Sequence, residues 1–156
     1  MVPHTMKALL KAFVHRTEDP NFRMARIWSN NELKKFAHFF SGSIVNVSAG
    51  EDRDKQGDIY KKYFTSANSY SITNFFDGRE PGQDEFFLNL EAEIDDINMI
   101  RKFDVVFNHT VLEHIYNITT AFKNLCALSK DVVIIVVPFM QQMHGVSAGG
   151  CLRLRR

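Results

Sequence analysis

The sequence predicts an α/β domain, a doubly wound parallel sheet of about five strands with helices on both faces. Short strand-like segments alternate with helical patterns from residue 43 to residue 137, which is typical of parallel sheets. Residues 105–107 and 132–137 are continuous apolar runs, typical of strands buried on both sides. A chain of 156 residues with 45% hydrophobic residues is long enough to enclose one core.

The first forty residues are predicted to form an N-terminal helical segment. Ala8, Leu9, Ala12 and Phe13 make one apolar stripe at helical spacing, and the sequence 19–21 (Asp-Pro-Asn) breaks it. Ser29 and Glu32 have the spacing of a capping box. The pattern therefore predicts a second helix that begins at Ser29 and ends near residue 40.

The remaining elements follow in alternation. Strands are predicted at residues 44–47, 69–74, 86–90, 103–107 and 132–137, and helices at residues 58–64, 94–100 and 111–128. The last of these helices carries an apolar side made of Leu112, Ile115, Ile118, Phe122 and Leu125. Cys126, in the same pattern, is expected to be a small buried residue.

Polar residues stand where the predicted strands end. Asn46 lies in the first strand, Ser48 and Gly50 follow it, Asn74 ends the second, and Asn108 and His109 follow the fourth. Ligands of open α/β sheets bind outside the carboxyl ends of the strands. These residues are therefore candidates for one ligand site.

Residues 103–115 resemble the fourth strand of class I S-adenosylmethionine-dependent methyltransferases (methyltransferase type 11-like), which leads into Val-Leu-Glu-His, here Val111 to His114. Residues 117–128 and 131–138 resemble the next helix and the fifth strand of that family. The resemblance covers about residues 41–140 and implies a Rossmann-like core, truncated after the fifth strand. Residues 141–156 are expected to form a flexible basic tail.

The resemblance implies S-adenosylmethionine as cofactor and assigns its contacts to seven positions. These are Asn46, Ser48, Gly50, Asn74, Glu91, Asn108 and His109. The family usually has acids where Asn46 and Asn74 stand, and glycine where Ser48 and Asp52 stand. An amide replaces a charge-assisted hydrogen bond with a weaker one, at a cost of about 1 kcal/mol or more.

The implied activity is methyl transfer to a small-molecule or sugar acceptor, with catalysis mainly by proximity and orientation. The alternative is a catalytically inactive remnant that serves as an interaction or oligomerisation module. A nicotinamide-dependent dehydrogenase is disfavoured, because the sequence has no Gly-x-Gly-x-x-Gly after the first strand.

No residue is assigned a catalytic role, and no metal cluster is predicted. Glu113 and His114 are expected to orient a helix start rather than to do chemistry, whereas His109 is equally consistent with a pocket residue. Glu51, Asp52 and Asp54 are expected to lie in a solvated loop, with contact to the cofactor's amino group as the alternative.

The charge balance defines the expected partners. A formal net charge of +1 gives no indication of nucleic acid or an anionic membrane as a partner. Two cysteines without metal-type spacing, and the absence of a signal-peptide pattern, predict a cytoplasmic protein. The fifth strand would expose an unpaired edge, which predicts a homo-oligomer.

Overall fold

The computed structural model describes residues 21–54, 56–75 and 80–137. Within these ranges, two helices, α1 (Asn21–Ala37) and α2 (Ile118–Leu128), accompany five strands. The strands are β1 (Gly42–Val47), β2 (Ala67–Asn74), β3 (Glu85–Phe87), β4 (Phe103–His109) and β5 (Ser129–Val136). Single 3-10 turns lie at Tyr60–Tyr63, Ile97–Met99 and Leu112–His114.

All five strands are parallel and stand in the order β3-β2-β1-β4-β5. The chain builds the sheet outward from β1 to β3 and then returns to the other side of β1 to place β4 and β5. This reversal creates a topological switch point between β1 and β4, as in Rossmann-like folds. The predicted α/β parallel sheet is confirmed.

Alternate residues of the central strands bury opposite faces of the sheet, because successive side chains of a strand point to opposite sides. Ile44, Val105 and Phe107 pack with Leu33 of α1 and with Tyr60. Across the sheet, a second cluster is formed by Val45, Val47, Val106, Leu125 and Leu128. The two layers clamp β1 and β4 from both sides and fix the position of their carboxyl ends.

The start of β1 is fastened to β4 at the amino edge of the sheet. The Asp104 carboxylate accepts hydrogen bonds from the Ser43 amide (2.6 Å) and hydroxyl (2.8 Å), and it lies 3.0 Å from Lys130 Nζ. These donors lower the pKa of Asp104 to about 2. Gly42, at φ +85°, passes so close to Asp104 that a Cβ would collide with it.

The capping box predicted at Ser29 is wrong. Helix α1 already includes Asn21, and Ser29 lies within it, where its hydroxyl donates to the Arg26 carbonyl at 3.0 Å. A helical Ser can bond back to the preceding turn in this way, so its spacing to Glu32 is not diagnostic of a start. The stripe from Ala8 to Phe13 and the tail at residues 141–156 lie outside the described residues.

Three other helices are shorter than predicted. Residues 58–64 and 94–100 contain only the 3-10 turns Tyr60–Tyr63 and Ile97–Met99, and α2 begins at Ile118 rather than at residue 111. In the described part of the chain, neither α1 nor α2 has the length and apolar character required to cross a membrane.

The buried face of α2 also differs from the predicted one. Ile118 and Phe122 are 53% and 51% exposed, and Cys126 is exposed. Asn124 is buried instead, because its Nδ2 donates to the carbonyls of Leu90 (3.0 Å) and Ala92 (2.7 Å). These hydrogen bonds favour an orientation of α2 that a pattern of apolar residues alone does not indicate.

Candidate functional site at the switch point

A pocket of about 180 Å³ opens at the carboxyl ends of β1 and β4. Helix α1 supplies Arg26, and β1 with its following loop supplies Asn46, Ser48, Ala49, Gly50 and Arg53. The opposite wall is formed by Tyr60 and by the segment from His109 to Val111. The pocket therefore lies where the fold class places its ligands.

The loop after β1 is fastened to the end of β2 by its own backbone. The amides of Ser48 and Ala49 donate to Thr73, to Oγ1 at 3.2 Å and to the carbonyl at 3.0 Å. The Gly50 amide donates to Asn74 Oδ1 at 2.7 Å. Three consecutive amides are thus occupied within the protein. The loop has a fixed shape, but these amides do not point to a ligand.

Asn74 braces the loop after β1 from the end of β2. Besides accepting from the Gly50 amide, its Nδ2 donates to the Gly50 carbonyl at 2.9 Å and to Glu85 Oε1 at 2.6 Å. An amide can both donate and accept, whereas a carboxylate at this position could only accept. The side chain therefore links the pocket loop to β3.

Asn46 is held from behind by a buried acid. Its Nδ2 donates to Asp52 Oδ1 at 2.7 Å, and the same carboxylate accepts from the Tyr70 hydroxyl (2.7 Å) and the Lys61 amide (3.0 Å). Asp52 is only 8% exposed, and Asp54 is 6% exposed. The prediction of a solvated loop for these two acids is wrong, since each one organises the backbone that follows it.

His109 connects the pocket to the polar side chains of Tyr60, Ser29 and Asn30. Its Nδ1 lies 3.2 Å from the Tyr60 oxygen, and its Nε2 lies 3.3 Å from Ser29 Oγ. The Tyr60 hydroxyl donates to Asn30 Oδ1 at 3.1 Å, and the Ser29 hydroxyl donates to the Arg26 carbonyl at 3.0 Å. Each of these oxygens therefore remains an acceptor for an imidazole N–H, so the network holds the ring from both sides without fixing which nitrogen carries the proton.

Burial keeps the His109 imidazole neutral at physiological pH. Its pKa is lowered to about 4, first by burial and then by the charge of Arg26, while Asp54 acts in the opposite sense. Burial also raises the pKa of Tyr60 above its usual value, so the phenol keeps its proton. A buried, perturbed histidine in a cleft is a feature that functional sites share.

Two buried polar atoms at the site have no hydrogen-bond partner among the described residues. They are Asn30 Nδ2, beside Tyr60, and Asn108 Oδ1. The other end of the Asn108 amide donates to the Val47 carbonyl at 2.9 Å and ties β4 to β1. Each unmet group costs about 1–3 kcal/mol, and native proteins tolerate a small number of them.

Backbone strain is concentrated at the same place. Among the described residues, five that are not glycine have positive φ, and three of these are Ser48 (57°), Asp52 (56°) and Thr110 (53°). Ser48 and Thr110 line the pocket, and Asp52 lies directly behind it. A β-branched residue such as Thr110 rarely adopts this conformation, and such strain clusters at functional sites.

The seven predicted cofactor contacts are distributed unevenly. Asn46, Ser48, Gly50 and His109 line the pocket, and Asn74 and Asn108 lie directly behind it. Glu91 is directed elsewhere, because its Oε1 accepts from the amides of Tyr116 (2.8 Å) and Asn117 (2.9 Å). Glu113 and His114 lie in the turn Leu112–His114 and are not among the described residues that line the pocket.

Sequence reasoning missed Arg26 and Tyr60 as pocket residues. Both lie in segments that flank the strand ends and carry no recognisable motif. The sequence does place Arg26 one helical turn before Ser29, on the same side of α1, but this spacing is common in helices and does not indicate a pocket.

A larger pocket of about 350 Å³ lies at the opposite edge of the sheet. It is lined by Lys61, Phe64, Ala67, Asn68, Ser69, Tyr70 and Asp84, at the amino ends of β2 and β3. Since parallel sheets bind ligands at the carboxyl edge, its size alone does not make it the functional site. Among the described residues, no three His, Cys, Asp or Glu side chains gather in a way that could hold a metal ion.

Comparison with protein-family models and with curated proteins found no match for this sequence. The methyltransferase resemblance therefore stays a prediction from the residues quoted above. The same Rossmann-like scaffold carries many unrelated activities, so function has to be argued from the site.

Proposed function

We propose that this protein is an S-adenosylmethionine-dependent methyltransferase-like domain that acts on a small-molecule or sugar acceptor. The observation that carries the proposal is the pocket at the β1/β4 switch point of an all-parallel sheet. The polar end of β4, Asn108 and His109, reaches this point together with the Ser48–Gly50 loop of β1. The Val111–His114 segment that carries the family resemblance follows immediately.

The pocket residues have positions suited to an S-adenosyl ligand, but they lack the carboxylates that the family usually has there. Ser48, Gly50 and His109 would hold it, whereas the Asn74 side chain is engaged with Gly50 and Glu85 and Asn108 lies behind the pocket. When bound, the cofactor supplies an electrophilic methyl carbon on a sulfonium. The chain's contribution is orientation, with the neutral His109 imidazole held in place by Tyr60 and Ser29.

A second candidate is a catalytically inactive methyltransferase-like module. A specific observation favours it, since Asn46 and Asn74 are both engaged in internal hydrogen bonds. The pocket of about 180 Å³ is also smaller than the roughly 300–1,000 Å³ of ordinary ligand sites. Binding of a whole nucleoside at this edge requires movement of the loop after β1.

Calorimetric titration with S-adenosylhomocysteine separates the two candidates. We expect measurable binding, and we expect Ala49→Phe to weaken it at least tenfold, because the ring fills the pocket that Ala49 lines. Ser41→Phe is the control, since exposed Ser41 precedes β1 at the opposite edge of the sheet. If no binding heat is measured at millimolar ligand, the proposal of an active methyltransferase is refuted and the inactive module is favoured.

We further propose that the protein self-associates through β5. Among the described strands, β5 pairs only with β4, and its apolar residues 132–136 remain partly exposed. An unpaired apolar edge is a template for another chain. Light scattering after size-exclusion chromatography is expected to give an oligomer, and Ile134→Lys to give a monomer. The exposed Ile97→Lys should leave the oligomer intact, and a monomeric wild-type protein at micromolar concentration would refute the proposal.

A cytoplasmic location is part of the same proposal. Cys126 is an exposed free thiol, which fits a reducing compartment. Fluorescence microscopy of a tagged chain tests it, and a tag found in the secretory pathway would contradict it.

A further inference from the structure

We infer that the switch-point pocket binds an anionic group, a carboxylate or a phosphate, against Arg26 and Arg53. Among the described residues, the pocket lining contains these two arginines and no Asp or Glu. If the proposed function holds, the anion is supplied by the ligands of that site, either an acidic methyl acceptor or the carboxylate of the cofactor itself. The inference about the anion itself does not require that function.

Arg26 is the stronger of the two contacts. It is partly buried in α1 beside the pocket, and no hydrogen bond or ion pair of its guanidinium occurs with the described residues. Its charge acts on both His109 and Tyr60, and it helps to hold the imidazole neutral. A partly buried arginine without a carboxylate partner is poised for an incoming anion, which its planar fork can bind with two hydrogen bonds.

Arg53 adds charge at the pocket rim. Its side chain is 60% exposed, and its Nε lies 3.5 Å from the Glu51 carboxylate, which is 86% exposed. An exposed pair of this kind contributes little and can be exchanged for a ligand. Arg53 is therefore expected to increase affinity less than Arg26 does.

The nearby acids Asp52 and Asp54 oppose the charge of Arg26, but neither carboxylate lines the pocket. Asp52 accepts hydrogen bonds from Asn46, Tyr70 and the Lys61 amide. Asp54 accepts from Tyr63 and from the amides of Gln56 and Asp58. Both carboxylates are buried behind the wall and already have partners, so they are not directed at the ligand.

The size of the pocket limits the group. A volume of about 180 Å³ equals the share of about six water molecules at ~30 Å³ each. This accommodates a phosphate, or a carboxylate with a few carbon atoms. Because the loop amides of Ser48, Ala49 and Gly50 are occupied, side chains rather than a backbone nest must hold the anion.

The test is an NMR titration of the wild-type protein with inorganic phosphate and, separately, with acetate, at constant ionic strength. We expect saturable shifts at the Gly50 and Thr110 amides, and a higher pKa of His109 when the anion is bound, because a negative charge favours the imidazolium. The probe with the lower dissociation constant identifies which anion the pocket takes.

Arg26→Gln should weaken binding of the better probe at least tenfold, the loss expected for a charge-assisted hydrogen bond. Lys123→Gln is the matched control, because it removes the same charge from an exposed site on α2, across the sheet. Arg53→Gln provides a second variant, expected to weaken binding several-fold, should Arg26→Gln fail to fold.

Three results would overturn the inference. These are no saturable shifts with either anion, equal weakening by Arg26→Gln and Lys123→Gln, or shifts confined to Lys61 and Asn68 in the larger pocket. Anion binding without S-adenosylhomocysteine binding would refute the proposed function alone. S-adenosylhomocysteine binding without any anion effect would refute this inference alone.

Discussion

Asp52→Ala is expected to lower the free energy of unfolding by about 3–5 kcal/mol. The change leaves three donors without their acceptor, namely Asn46 Nδ2, the Tyr70 hydroxyl and the Lys61 amide. Asn46 and Tyr70 are buried, so water cannot readily replace the lost carboxylate. Alanine must also adopt φ near 56°, which costs it about 1 kcal/mol more than aspartate.

Urea denaturation at neutral pH measures this effect, with Glu51→Ala as the matched control. Glu51 is the adjacent residue, carries the same charge and has an 86% exposed side chain, so its loss should change stability by less than about 0.5 kcal/mol. Asp52→Asn should fall between the two, because an amide keeps one acceptor and tolerates the backbone conformation. Equal stabilities for the two alanine variants would show that Asp52 does not organise the loop.

The protein is expected to lose stability by about 3 kcal/mol between pH 6.5 and pH 4 through His109 alone. In the folded state its pKa is about 4, and in the unfolded chain it returns to 6.5. Within this window the unfolded chain binds a proton that the folded protein does not, so acid favours unfolding. Below the folded pKa both states carry the proton, and the loss from this residue stops.

Comparison of the wild-type protein with His109→Asn isolates this contribution. The variant should show a difference in unfolding free energy between pH 6.5 and pH 4 that is smaller by about 3 kcal/mol. His38→Asn, at an exposed histidine of the chain, controls for the loss of a histidine elsewhere. If His109→Asn changes the pH dependence no more than His38→Asn, the imidazole is not held neutral by burial.

The sheet was predictable because its strands carry simple signals. The run at residues 132–137 is apolar throughout, and the segment from Phe103 to Phe107 is apolar except for Asp104, as expected for strands of a parallel sheet. The carboxyl ends of β1, β2 and β4 were marked by the polar residues Ser48, Asn74 and Asn108. Pattern and position were therefore sufficient to identify the edge of the sheet that carries the pocket.

The wrong predictions concern residues whose burial is determined by tertiary contacts. Asp52 and Asp54 have the composition of a solvated loop, yet hydrogen bonds from Tyr70 and Tyr63 make their burial favourable. Asn124 is polar and lies inside because two carbonyls accept from it, and Phe122 is half-exposed in consequence. No sequence period encodes such pairings, which depend on residues distant along the chain.

The pocket was only partly predictable for the same reason. The strand ends indicated Asn46, Ser48, Gly50 and His109, but Arg26 reaches the site from α1, which belongs to none of the strand–helix units. The hydrogen bond from the Gly50 amide to the Asn74 side chain could not be predicted either, because an amide and a carboxylate are equally plausible at a strand end. Charge and accessibility of the site therefore emerged only from the structure.

The central claim is that the carboxyl edge between β1 and β4 is the functional site, and its most direct test is NMR mapping of S-adenosylhomocysteine on the ¹⁵N-labelled protein. Shift changes are predicted to centre on Gly50, His109 and Thr110, on both sides of the switch point. Saturable changes confined to the pocket of Asn68 and Asp84, at the amino edge, would contradict the account.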